Sequence, residues 1–169
     1  RADVQVNSAT FVPGRNGNAI KFTGPEYGEV TKQIFSNLNA PFTITLYAQS
    51  LEVETGTPKS FIWVLNFEGL NNYVEVPIEA NPKMWFGLAL VRQGTLYNFF
   101  VNGQLVKTLT QAGTLQGVSL NQDYYGGEYG LCLLDDVKLY DIALTQEELL
   151  QTSSVNKQQS YTLDGIDFR

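Results

Sequence analysis

Apolar and polar residues alternate through much of the chain. In Phe42-Thr43-Ile44-Thr45-Leu46-Tyr47, the residues Phe42, Ile44 and Leu46 fall on one side and Thr43, Thr45 and Tyr47 on the other, the period of a strand with one buried face. Ala19 to Phe22 alternates in the same way. Phe61 to Phe67 is apolar at almost every position, which predicts a central strand covered on both faces. Tyr73 to Ile78 predicts a strand in which Pro77 marks a sheet edge or a strand end. Trp85 to Val91 and Leu96 to Val101 flank Arg92-Gln93-Gly94-Thr95, a hairpin signal, and Asn102-Gly103 then separates Val101 from Leu105. An Asn-Gly pair between apolar runs predicts a type I′ turn, so Leu96 to Leu109 reads as two antiparallel strands. Gly126-Gly127 opens a longer strand, Tyr129 to Tyr140. One helix is predicted, where Thr145-Gln146-Glu147-Glu148 forms a capping box and Leu149 and Leu150 turn toward the body of the domain. The final stretch, Gln151 to Arg169, is polar until Tyr161-Thr162-Leu163 and Ile166-Asp167-Phe168, and is expected to return as an edge strand or to lead to a neighbouring domain. Serial hairpins with one short C-terminal helix predict an all-β fold, a two-sheet antiparallel jelly-roll sandwich rather than a βαβ fold.

Composition changes this picture little. A chain of 169 residues suits one domain, residues 1–169, and 43% hydrophobic residues can build its core. The chain begins with Arg1 and no segment reads as a signal peptide, so it is expected to be a piece of a larger protein. With 11 Lys and Arg against 17 Asp and Glu, the net charge is −6, and no basic run occurs. Nucleic-acid binding is therefore not expected, because phosphate contacts need clustered cations. No apolar stretch approaches the roughly 20 residues of a membrane span, so membrane insertion is not expected. The one cysteine, Cys132, lies in the apolar run Leu131-Cys132-Leu133-Leu134 and reads as a small buried hydrophobe. With no histidine, triads and dyads built on His are excluded.

Several segments resemble a known family. Gly14-Arg15-Asn16-Gly17-Asn18-Ala19-Ile20-Lys21-Phe22-Thr23-Gly24 is similar to the opening of laminin-G-like jelly rolls, G-x-x-G-x-A-(aliphatic)-x-F-x-G. Phe42-Thr43-Ile44-Thr45 resembles the family's F-T-I-(S/T) strand, with Tyr47 where a Trp is usual. Trp85-Phe86-Gly87-Leu88-Ala89-Leu90 resembles W-x-x-(V/L)-A-(V/L), and Phe100-Val101-Asn102-Gly103 resembles Y-V-N-G. Leu134-Asp135-Asp136-Val137-Lys138-Leu139-Tyr140-Asp141-Ile142-Ala143-Leu144-Thr145 is similar to the closing I-D-(E/D)-V-x-(I/L)-Y-(N/D)-x-A-L-(S/T). The chain thus resembles the laminin-G-like branch of the concanavalin A-like lectin and glucanase superfamily. The resemblance implies a secreted or cell-surface module that binds a glycan or polysaccharide. An adhesive module of a surface protein or phage fibre, acting through a protein partner, is the alternative. The fold alone decides neither, since it serves unrelated tasks.

Individual residues suggest chemistry. Along Leu133-Asp135-Val137-Leu139 a period-two strand puts Asp135 on an apolar face, with Asp136, Lys138 and Tyr140 on the other. A carboxylate there needs partners. Two readings stay open: backbone N–H groups of a neighbouring loop, or a structural calcium held with loop carbonyls. The resemblance admits the calcium, with Asp3, Asn7 and Asp123 as candidate further ligands. Asp136 and Lys138 read as a solvated ion pair worth under ~1 kcal/mol. Trp85 is expected in the core, and Trp63 in the core or on an aromatic platform. Two segments combine aromatics with amides in the way sugar recognition requires: Asn71-Asn72-Tyr73, and Asn121-Gln122-Asp123-Tyr124-Tyr125-Gly126-Gly127, from which Asp123, Tyr124 and Tyr125 are the candidates. Both also read as ordinary polar turns. A retaining glycoside hydrolase would need two carboxyls about 5–5.5 Å apart. The nearest pair, Glu52 and Glu54, lacks the third acid of the E-x-D-x-x-E glucanase pattern. A non-catalytic binding module is the expectation.

Overall fold

A computed structural model describes residues 5–6, 10–22, 28–31, 38–51, 59–78, 84–122, 132–154, 162–163 and 166–167. In chain order the elements are β1 (Gln5–Val6), β2 (Thr10–Pro13), β3 (Asn18–Phe22), β4 (Gly28–Thr31), β5 (Phe42–Ser50), β6 (Lys59–Phe67), β7 (Leu70–Ile78), β8 (Trp85–Gln93), β9 (Leu96–Val101), β10 (Gln104–Thr110), β11 (Leu115–Gln122), β12 (Cys132–Tyr140), α1 (Gln146–Ser154), β13 (Thr162–Leu163) and β14 (Ile166–Asp167). They form a five-stranded sheet in the order β1-β4-β11-β6-β7 and a seven-stranded sheet in the order β10-β9-β8-β5-β12-β3-β2. All pairings are antiparallel, and the chain crosses between the sheets from β5 to β6 and from β7 to β8. This is the predicted jelly-roll sandwich. No helix among the described residues is long and apolar enough to cross a membrane.

The core follows from side-chain parity. Phe42, Ile44 and Leu46 of β5 point between the sheets and are buried, together with Phe86, Leu88 and Leu90 of β8 and Tyr97 and Phe99 of β9. From the other sheet β6 contributes Phe61, Trp63, Leu65 and Phe67, while Ile62 and Val64 on its outer face are buried as well, as its continuous apolar run predicts. Each such large side chain stabilises by about 1.5–3 kcal/mol relative to exposure. Trp63 is 1% exposed, its ring 6.3 Å from that of Phe99, and its indole N–H has no hydrogen-bond partner. At one end of this layer the buried Arg92 guanidinium donates to the carbonyls of Leu38 and Gly94 and lies 5.4 Å from the Tyr97 ring centroid. Carbonyl oxygens and an aromatic face thereby replace its lost water.

The local signals place the turns. Asn102 and Gly103 have φ of 51° and 77°, the positive values a type I′ hairpin needs. The capping box closes as expected: the Glu148 N–H donates to the Thr145 hydroxyl at 3.2 Å and the Thr145 N–H donates to the Glu148 carboxylate at 2.8 Å. Of the two leucines expected to face the body, Leu149 is buried with Ala89, Val91, Phe100 and Leu144 in a second cluster beneath α1. Leu150 is partly exposed and covers Gly103 instead.

One expectation about these elements changes. Trp85 is half-buried on the outer face, because Phe86, Leu88 and Leu90 take the inward positions of β8. Among the described residues of the C-terminal segment, β13 and β14 pair with each other and with neither sheet; residues 155–161, 164–165 and 168–169 lie outside the described residues. The long last strand is described from Cys132 onward, and Tyr129 to Leu131 lie outside the described residues.

Candidate functional site

The outer face of the seven-stranded sheet is shaped by one irregular residue. Asp136 has φ of 51°, and the register of β12 on β5 shifts between Asp135 and Lys138. Before the bulge Leu133 and Asp135 stand opposite Gln49 and Tyr47; after it Lys138 and Tyr140 stand opposite Thr45 and Thr43. Leu134 and Leu139 both reach the core, with Val137 against it. The bulge therefore reverses the alternation. Asp135 does not share a face with Val137 and Leu139; it faces outward with Leu133.

Asp135 is nevertheless 2% exposed, because the turn between β2 and β3 folds over it. The Gly14 N–H donates to the Gly17 carbonyl at 2.9 Å to close that turn. One carboxylate oxygen of Asp135 accepts the Asn16 N–H at 2.8 Å, and the other accepts the Asp136 N–H at 2.8 Å. A Cβ on Gly14 would lie 2.6 Å from this carboxylate and 2.7 Å from the Ala19 backbone nitrogen, so the turn can approach so closely only with glycine there. Burial pushes the Asp135 carboxyl above the ordinary carboxylate range. Backbone N–H bonds from Asn16, Asp136 and Arg15 draw it partway back, and the Asp136 charge adds to the rise.

Calcium needs six to eight oxygen ligands. Around Asp135 the described groups are N–H donors, and the neighbouring Asp136 carboxylate holds the Arg15 guanidinium at 3.3 Å and the Asn16 side-chain amide at 3.4 Å. Among the described residues this donor-rich setting supplies no such oxygen shell, and the further candidate ligands Asp3, Asn7 and Asp123 lie outside them. Among the described residues no group of three or more Cys, Asp or Glu is placed to hold a metal. Asp136 is not the solvated partner of Lys138 that the sequence suggests, since its side chain is 10% exposed and ion-paired with Arg15. Arg15 in turn lies over the Tyr47 ring, 3.8 Å from its centroid.

Beside this cluster a pocket of about 40 Å³ opens on the outer face. Thr45 and Tyr47 of β5 run along its middle, Gly87 and Ala89 of β8 form one side, and Asp136 and Lys138 of β12 form the other. Leu149 of α1 and Gly103 of the β9–β10 turn close the end toward the helix. The Gly87 N–H donates to the Asn102 side-chain oxygen at 2.8 Å and the Asn102 N–H donates to the Gly87 carbonyl at 2.7 Å, which fixes that turn against β8. Trp85 lies one outward position along β8 from Gly87, opposite Gln49. The site thus joins an aromatic residue, both charge signs and an apolar wall.

The other sequence candidates fall elsewhere. Asn71, Asn72 and Tyr73 are not in a loop: the turn is at Glu68-Gly69, and all three lie in β7, an edge of the five-stranded sheet. Asn71 and Tyr73 are exposed, Tyr73 by 48%, while Asn72 alternates with them and donates to the Gln111 side chain at 3.0 Å, on the side where Val74 and Val76 are buried. The structure therefore does not bring the three together on one face. Asp123, Tyr124, Tyr125, Asp3, Asn7, Glu52, Glu54 and Gly126-Gly127 lie outside the described residues. Thr45, Tyr47, Gly87 and Lys138 are brought together only by the sheet, and no pattern within one segment joins them. The one local signal was Gly87, a glycine inside a strand, which marks a bulge, a bend or a close backbone or ligand approach.

Residues 25–150 match the family model for the concanavalin A-like lectin/glucanases superfamily, in its laminin G form. No curated protein matches the sequence. Among solved structures, Trypanosoma rangeli sialidase in complex with 2,3-difluoro-KDN aligns with a TM-score of 0.63 at 16% identity, over 88% of this chain and 28% of that one. Botulinum neurotoxin type C, whose cell entry depends on interaction with two ganglioside molecules, aligns at 0.64 and 12% identity, over 95% and 47%. The binding domain of botulinum neurotoxin DC in complex with rat synaptotagmin II aligns at 0.64 and 12% identity, over 95% and 48%. The chain spans under a third of the sialidase and about half of each toxin chain, and at these identities the likeness is one of fold.

Proposed function

The chain belongs to the concanavalin A-like lectin/glucanases superfamily, and from that premise we propose that it is a non-catalytic carbohydrate-binding module of an extracellular or cell-surface protein. The observation that carries this reading is the outer-face pocket, where Tyr47 and Gly87 meet Lys138 and Asp136 with Trp85 alongside. Aromatic faces cover the apolar side of a pyranose, and a few placed polar groups orient it. Proteins of the same fold that engage a sialic-acid-type ligand or gangliosides lend support to a glycan partner.

The pocket's carboxyl chemistry supports binding over hydrolysis. Among the described residues its lining holds one carboxylate, Asp136, which is ion-paired with Arg15, and the adjacent Asp135 has both oxygens engaged by backbone N–H groups. Glycoside hydrolysis ordinarily uses two carboxyls that flank the scissile bond.

Gly87→Val provides the test. The glycine is not in the left-handed region, and a Cβ there would meet the Tyr47 ring at 3.5 Å and the Asn102 side chain at 3.7 Å, ordinary contacts. The Cβ is accommodated, and the two further methyl groups of valine take up pocket space beside it. Wild type is expected to bind a defined set on a glycan array, and Gly87→Val is expected to lose that set while melting no lower. Silence of the wild type across the array overturns the proposal. A second reading, a protein-interaction module, is favoured by the exposed Leu105 and Val106 on the edge strand β10 and by the toxin domain that binds synaptotagmin. It predicts that partner binding is lost in Leu105→Lys and kept in Gly87→Val.

A further inference from the structure

We propose that the outer-face pocket receives the acetamido group of a 2-acetamido-2-deoxyhexose residue; this rests on the carbohydrate-binding reading and specifies its ligand. Size makes the first selection. One water needs roughly 10–15 Å³ of such space, so about 40 Å³ holds roughly three or four heavy atoms, the number in an acetamido group and fewer than in a pyranose ring. The group that enters is a substituent, with the ring left on the surface outside.

The lining makes the second selection. Sheet order places Gly87 and Ala89 to one side of β5, with Leu149 of the helix, and Asp136 and Lys138 to the other. One side is thus apolar and the other carries a carboxylate and an ammonium. A hydroxymethyl group would leave the apolar side in contact with a polar group that has lost its water. A sugar carboxylate or a free amine would each meet one like and one opposite charge, and neither has a methyl group for the apolar side. An acetamido group matches both sides: its methyl meets Ala89 and Leu149, its N–H donates to the Asp136 carboxylate, and its carbonyl accepts from the Lys138 ammonium. The Asp136 carboxylate has about four acceptor sites and the Lys138 ammonium three donors, so each can serve the ligand along with its protein partners. The half-buried Trp85 indole, about 7 Å along the strand on the same face, then offers a surface for the apolar side of the ring.

The test is calorimetry and saturation-transfer NMR with the methyl glycosides of N-acetylglucosamine and N-acetylgalactosamine, each beside its free-amine and its 2-hydroxy counterpart. At least one acetylated glycoside is expected to bind about tenfold more tightly than its counterparts, from one buried methyl and one or two added hydrogen bonds. Its acetyl methyl is expected to receive the strongest saturation, and Gly87→Val is expected to abolish the preference. Equal binding of acetylated and parent sugars, or a preference that survives Gly87→Val, overturns the acetamido assignment and leaves the carbohydrate reading standing. Glycan-array ligands that exclude both acetylated sugars do the same. Silence of every saccharide on array and panel overturns both.

Discussion

Replacing Asp135 by Ala withdraws the two acceptors on which the β2–β3 turn rests, the oxygens that take the Asn16 and Asp136 N–H groups at 2.8 Å each. A buried donor left unpaired costs about 1–3 kcal/mol. Both N–H groups are part-buried, and loss of the desolvated charge offsets some of the penalty, so the expected net loss is about 2–4 kcal/mol. For a chain of this size, with about 2–4 °C per kcal/mol, thermal unfolding followed by circular dichroism should show a drop of roughly 4–16 °C. The proton adds a second readout. Because the folded-state carboxyl lies above its ordinary value of 3.8, the native state holds this proton more readily than the unfolded chain. Stability from this group is therefore absent at pH well above the folded value, grows as pH falls through it, and is complete below the ordinary value. Wild type should gain on Asp135→Asn as the pH is lowered from 7 toward 4. An unchanged melting temperature in Asp135→Ala would refute the docking role. A fall in the wild-type melting temperature on adding a chelator would show that the carboxylate holds a cation instead.

Three further outcomes are expected. Gly14→Ala should lower the urea midpoint by an amount equivalent to about 1–3 kcal/mol, because the new Cβ would press on the Ala19 backbone, which cannot yield as a side-chain tip does. Thr145→Ala should cost about 1 kcal/mol and lower the melting temperature by about 2–4 °C, with Thr145→Ser close to wild type, since only the hydroxyl caps the Glu148 N–H. Cys132 is buried and should react with a thiol reagent only at the rate of unfolding; immediate titration of the native protein would contradict that burial.

The fold was legible because two inward-facing sheets impose a period of two wherever one strand face is wet, as in β5, and because the Asn102-Gly103 turn and the Thr145 capping box are set within four residues. The failures have physical causes too. Trp85 belongs to an apolar run in which Ala89 and Val91 are buried by α1 on the outer face while Leu88 and Leu90 are buried by the other sheet. Such a run carries no parity, so the side that Trp85 takes was not readable. The face of Asp135 was misread for the opposite reason: its alternation is regular on paper, and a single residue with positive φ breaks it. Asn71 to Tyr73 carry residue types that favour turns, yet the Glu68-Gly69 turn has already reversed the chain before them.

The pocket draws on residues from Thr45 to Leu149, so no local pattern encodes it, but one position carries a trace of it. Glycine in a strand interior costs roughly 0.5–1 kcal/mol relative to alanine. At Gly14 the fold itself accounts for that cost, since a Cβ would strike Ala19 and Asp135. At Gly87 it does not: the dihedral suits any residue, and a Cβ would meet only ordinary contacts. Packing therefore gives no reason for the missing side chain, and the space it leaves is the side of the pocket that faces Asp136 and Lys138. A glycine that stability does not require, at the position where a side chain would close the site, is the reason the outer face rather than the Asn71–Tyr73 edge is where a ligand is to be sought.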